Sequence, residues 1–106
     1  MSEFLEQAAA AYKDSQDWFP GQQDDIGFLT LALAGEVGEL ANIVKKIERG
    51  SLRMDDPQVR HEMTMEMTDV YIYLLNLAAV LKVDLSEVYH VKRAVNVRRF
   101  GRMDNG

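Results

Sequence analysis

Apolar residues return every three or four positions along this chain, with very little to interrupt them, and that spacing leaves it one kind of secondary structure to adopt. Pro20 and Pro57 are the only prolines in 106 residues, and the intervals around them carry helical rather than alternating periodicity. Leu29, Leu33, Val37, Leu40, Val44 and Ile47 form the clearest stripe, which predicts a face turned to a core. Four helices are expected. The first runs from Ser2 as N-cap to about Gln16, with the stripe Phe4, Leu5, Ala8, Ala9 and Tyr12. The second runs from Asp24 or Asp25 to Gly50, and the third from Asp56-Pro57 to about Lys82. A capping box at Asp84-Leu85-Ser86-Glu87 opens the fourth, which Gly101 ends. The expected fold is all-α, a four-helix bundle-like single domain over 1–106, with its core at about 17–100 and a frayed tail from Arg102 to Gly106.

The third helix is apolar on two sides. Val70, Leu74, Leu77 and Leu81 share one face, and Ile72, Leu75 and Ala79 lie roughly opposite. Such a helix needs partners on both, so a homo-oligomer built through the central helices is expected.

Composition narrows the chemistry. Twelve basic against seventeen acidic residues leave a net charge of −5, the wrong sign for gripping a nucleic-acid polymer. No cysteine is present, which removes disulfides, thiolate nucleophiles and Cys-ligated metals. The start of the chain does not resemble a leader peptide, and the apolar run from Val70 to Leu81 is too short for a bilayer, so a cytoplasmic protein without a membrane partner is expected. Carboxylates are the abundant reactive groups.

Two pairs of them stand out. Glu36 and Glu39 on the second helix, and Glu66 and Asp69 on the third, are each spaced i,i+3 and border an apolar stripe. The short link from Gly50 to Pro57 makes the two helices antiparallel neighbours. Glu39 lies 11 residues before Gly50 and Glu66 lies 9 after Pro57, while Glu36 and Asp69 lie 14 before and 12 after. At about 1.5 Å rise per residue each mismatch is only about 3 Å, so Glu39 should face Glu66 and Glu36 should face Asp69. Unit charges about 5 Å apart repel by roughly 3 kcal/mol at an effective dielectric near 20. Four gathered carboxylates would thus cost about as much as a small domain's whole stability. A divalent cation relieves this best, and an all-oxygen donor set without Cys or His selects Mg²⁺, Mn²⁺ or Ca²⁺. The plainer alternative is two solvated helix faces. Gly35 and Gly38 flank Glu36 at a cost of about 0.8–1 kcal/mol each, consistent with close approach of a backbone, room for a ligand, or mere tolerance.

Lys92, Asn96 and Arg99 form a polar stripe on the fourth helix, expected opposite Val88, Val91 and Val95. Antiparallel packing about Asp84 would bring Arg99 level with Asp69. Tyr73 and Asn76 extend the carboxylate stripe of the third helix. Cations beside a metal-bearing carboxylate site suit a polyphosphate, although basic residues near a helix C-terminus also complement its dipole. Trp18 and Phe19 could stack a base or plug the end of the bundle.

The run Leu31-Ala32-Leu33-Ala34-Gly35-Glu36-Val37-Gly38-Glu39-Leu40, then Glu66-Met67-Thr68-Asp69-Val70, resembles the MazG-like all-α nucleoside triphosphate pyrophosphohydrolases. The segment Lys92 to Phe100 resembles the Lys-x-x-x-Asn-x-x-Arg stretch that follows in that family. This resemblance implies Mg²⁺ on Glu36, Glu39, Glu66 and Asp69, with Mn²⁺ as a substitute. It further implies nucleotide contacts from Tyr73, Lys92, Asn96 and Arg99, and a base pocket lined by Trp18. Relatives cleave between the α- and β-phosphates and work as dimers or tetramers of paired dimers. Glu39 is the candidate general base, activating water. The expected activity is Mg²⁺-dependent hydrolysis of canonical or damaged deoxynucleoside triphosphates. A phosphoribosyl-ATP pyrophosphohydrolase and a non-catalytic helical interaction module are the alternatives. Lys45-Lys46 stands where some deoxycytidine-preferring relatives carry an aromatic residue, and one domain replaces a tandem pair.

Overall fold

A computed structural model describes residues 1–101, and the tail expected to fray from Arg102 onward lies outside the described residues. The described residues form four helices and no strand: α1 (Glu3–Trp18), α2 (Ile26–Glu48), α3 (Pro57–Leu81) and α4 (Leu85–Phe100). Each begins at a residue whose side-chain oxygen takes up an orphan N–H of the first turn. Ser2 accepts from the Leu5 N–H, Asp25 from Phe28, Asp56 from Gln58, and Asp84 from Ser86. Asp24, the other candidate cap of α2, instead accepts the Tyr12 hydroxyl at 2.7 Å. At Asp84 the capping box is half formed among the described residues. The Asp84 carboxylate accepts the Ser86 N–H and, through its other oxygen, the Ser2 hydroxyl at 2.7 Å, which ties the start of α4 to the start of α1.

α3 is the central rod, with α2 packed along one side and α1 along another. Phe4 and Ala8 of α1 meet Leu75 and Ala78 of α3, with Ala11, Ala79, Val83 and Leu85 around them. The small alanines let these helices approach closely. The inner face of α1 is therefore Phe4, Ala8, Ala11 and Ser15, and Leu5 and Ala9 point outward. α1 also runs on to Trp18, two residues past the expected end. On α2, Leu29 is fully buried while Val37 and Val44 are exposed. The inward side is rotated so that Glu36, only about 20° from Leu29 on the helical wheel, stands in its middle. By length and composition α2, rather than Val70 to Leu81, is the segment apolar enough to cross a membrane. Glu36 and Glu39 midway along it would be costly there.

α2 and α3 are antiparallel as expected. Gly50, at φ +80°, supplies the left-handed turn after α2, and Pro57 opens α3. The expectation for α4 is corrected. It packs along none of the other three helices, and no residue of it is buried. The wheel gives the reason: Lys92 and Arg99 lie about 40° and 20° from Val88, beside the valines rather than opposite them, so α4 has no clean apolar stripe.

Candidate metal centre and cavity

Antiparallel pairing of α2 and α3 brings Glu36, Glu39 and Glu66 together, each offering one oxygen within 4.8 Å of the others. Glu36 and Glu66 are half-buried, and Glu39 is exposed. The Oε2 atoms of Glu36 and Glu66 are buried with no hydrogen-bond partner among the described residues. Leaving a buried acceptor unmatched costs about 1–3 kcal/mol, and more for a charged one. Burial, with Glu39 and Glu36 beside it, pushes the Glu66 carboxyl up to about 7. Glu36 is also raised, first by burial and then by the charges of Glu39 and Asp69, against a lowering contact with Glu66. Orphaned buried oxygens on an all-carboxylate donor set fit a hard divalent cation.

Asp69 is not within that spacing of all three glutamates. It stands one turn along α3, half-buried, close enough for its charge to raise Glu36 and to line the same cavity. The expected convergence of four acids is thus three in contact and a fourth adjoining. The cavity, about 540 Å³, lies among α1, α2 and α3. Its walls include Glu36, Asp69 and Tyr73 together with Trp18, Phe19 and Phe28. The Tyr73 hydroxyl is raised by burial and then by Glu36 and Asp69.

Of the residues expected at the site, Trp18 and Tyr73 line this cavity with Glu36 and Asp69, whereas Glu39, Glu66 and, on the outlying α4, Lys92, Asn96 and Arg99 do not. The anticipated level match of Arg99 with Asp69 required α4 to pack along α3, which it does not. At Gly35 and Gly38 an added Cβ would meet nothing within 4 Å, so close approach of a backbone within the chain is not what these glycines serve. Phe28 is a cavity residue that sequence reasoning passed over, and Asn76, read only as extending the carboxylate stripe, is buried in the cavity wall. Their signals were an aromatic in the first turn of α2 and an amide inside the run Leu74-Leu75-Asn76-Leu77.

The metal-free protein should be sensitive to pH. Because the fold raises the Glu66 carboxyl above its ordinary 4.5, that group's contribution is fullest below 4.5 and is lost as pH rises through about 7. Asp84, held below its ordinary range by the Ser86 and Ser2 hydroxyls, acts in the opposite sense and only at lower pH. Melting in chelator should show a falling midpoint across the upper window, flattened in Glu66→Gln. A flat wild-type profile would show that neither burial nor the neighbouring acids raise the Glu66 carboxyl.

Fold and cluster together define an all-α protein with a carboxylate centre suited to a divalent cation, set at the edge of an aromatic-lined cavity. Residues 27–97 match the MazG nucleotide pyrophosphohydrolase domain, a span holding all four acids, Tyr73, Lys92 and Asn96 but neither Trp18 nor Arg99. The chain belongs to that family. Over 74 residues it is 40% identical to dCTP pyrophosphatase 1 of Bos taurus and to the Homo sapiens protein of that name, covering 68% of this chain and 44% of each of theirs. It is also 37% identical over 75 residues to the Gene 37 protein of Mycobacterium phage L5, covering 66% of each chain. The match thus spans less than half the length of the mammalian relatives.

Proposed function

We propose that this chain hydrolyses nucleoside triphosphates, deoxynucleotides foremost, to the monophosphate and pyrophosphate in a divalent-cation-dependent reaction that clears canonical or damaged triphosphates from the cytoplasmic pool. The observation that carries the reading is the meeting of Glu36, Glu39 and Glu66 within 4.8 Å, with Glu36 also lining a cavity large enough for a nucleoside. Family membership supports it. Glu36, Glu39, Glu66 and Asp69 would hold Mg²⁺, or Mn²⁺ in its place. The bound cation supplies positive charge to phosphate oxygens and makes water more acidic. Glu39, the exposed member of the cluster, is suited to take the proton from the attacking water. Tyr73 and Trp18 both line the cavity, which supports a nucleotide contact from Tyr73 and a base contact from Trp18.

The test is pyrophosphate release from each nucleoside triphosphate, with Mg²⁺ and with chelator. dCTP comes first because the mammalian relatives are named for it. Pyrophosphate is expected only with the cation; release of orthophosphate, or indifference to chelator, overturns the reading. Glu39→Gln is expected to abolish turnover with the helical circular dichroism unchanged, and an active variant would remove Glu39 from the mechanism.

A homo-oligomer, dimer or tetramer of paired dimers, belongs to the same proposal. Leu31, Leu81 and Val91 are 76%, 58% and 68% exposed on three different helices, surface that a second copy would cover. The cationic residues of α4 would complete the phosphate site in that assembly. Sedimentation equilibrium should return at least twice the 12.1 kDa chain mass, and a monomer at micromolar concentration would refute it.

A further inference from the structure

We propose that Asn76 is the residue that reads the nucleobase, its carboxamide hydrogen bonding to the edge of a base held in the cavity among α1, α2 and α3. Asn76 is 4% exposed, its Oδ1 is buried without a hydrogen-bond partner among the described residues, and it lines the cavity. An amide so enclosed is costly unless something completes it, and no group among the described residues completes its oxygen.

Its position matches the nucleoside reading, on which this inference rests. Asn76 lies seven residues beyond Asp69 and three beyond Tyr73 on the same stripe of α3, about 10 Å along the axis from the carboxylate end. That is the direction in which a nucleoside extends when its phosphates sit at the acids. Phe28 lies eight residues before Glu36 on the antiparallel α2, so the register that pairs Glu36 with Asp69 also brings Phe28 level with Asn76. An aromatic face for stacking and an amide for edge contact therefore share one level. Trp18 and Phe19 line the same cavity and are 68% and 53% exposed, leaving their rings open to a ligand.

A carboxamide offers a donor beside an acceptor, and every standard base carries an acceptor next to a donor on its Watson–Crick edge. Among the described residues no hydrogen bond to Oδ1 fixes which way the Asn76 amide faces. It can therefore pair with cytosine or adenine in one orientation and with thymine or guanine in the other, selecting for a base edge rather than for one base.

The test compares wild type with Asn76→Leu and Asn76→Ala on accepted deoxynucleoside triphosphates and on 2-deoxyribose 5-triphosphate, which lacks a base. Both variants are expected to lose about 10–100-fold in kcat/KM on the nucleotides, and at least ten times less on the base-free compound. The melting temperature of Asn76→Leu should match or exceed wild type, because no structural hydrogen bond is removed. An equal loss on both kinds of substrate would place Asn76 at the sugar or phosphates and overturn the proposal. So would unchanged nucleotide kinetics, or a large fall in stability in both variants. If wild type releases pyrophosphate from no triphosphate at all, the failure lies instead with the hydrolase reading.

Discussion

Saturating Mg²⁺ is expected to raise the melting temperature of the chelator-treated protein by about 10–20 °C. The size follows from linkage. A ligand that binds only the native state, at a hundredfold excess over its Kd, stabilises by about 2.7 kcal/mol, and each kcal/mol moves the midpoint of a domain this small by roughly 4–8 °C. The cluster is built to respond in this way. Two buried carboxylate oxygens lack partners among the described residues, and three acids lie within 4.8 Å, so the metal-free fold carries a repulsion that a cation removes. Thermal melts at fixed pH across a Mg²⁺ titration, repeated with Mn²⁺, measure it. A midpoint indifferent to both ions would mean that the acids form only a solvated face, as in a non-catalytic helical module.

Glu36→Gln should separate stability from activity, moving them in opposite directions. Glu36 sits in the middle of the inward face of α2, with Glu66, Glu39 and Asp69 acting on its carboxyl. Glutamine keeps the shape and removes the charge, so the metal-free protein is expected to melt higher than wild type. The same change removes a metal donor. Loss of residues that merely support metal ligands typically costs 10–100-fold, so loss of a donor should cost at least about 100-fold in pyrophosphate release. The Mg²⁺-induced rise in melting temperature should shrink in parallel. A lower metal-free midpoint would show that Glu36 is satisfied in the native state, and a retained Mg²⁺ shift would show that the ion binds elsewhere.

Much of the site was readable because it depends on local regularities. An i,i+3 pair shares a side of any helix, and a short link forces antiparallel neighbours, so the meeting of Glu36 and Glu39 with Glu66 follows from counting residues to the Gly50–Pro57 turn, whereas Asp69, expected to face Glu36, only adjoins that trio. The caps Ser2, Asp56 and Asp84 are legible for the same reason, since each acts within three residues of itself. Asp24 and Asp25 were equivalent by that criterion; the Tyr12 hydroxyl, twelve residues away, separates them.

Other features depend on which faces meet. The stripe Leu29, Leu33, Val37, Leu40, Val44 and Ile47 has the right period, yet packing against α3 rotates the buried side toward Glu36, leaving Val37 and Val44 in solvent. Asn76 reads as one more polar residue on the carboxylate stripe until α1 and α2 close beside it. α4 was expected to fold back on α3 because a bundle is the usual destination of four amphipathic helices, but its cations lie too near its valines to leave a buried face. Helices, caps and the register of the acids were thus determined by sequence alone, because backbone hydrogen bonding and helical pitch act over a few residues. The burial of Glu36, the enclosure of Asn76 and the outward course of α4 were decided only by the tertiary structure, because burial is a property of the surfaces that meet rather than of either surface alone.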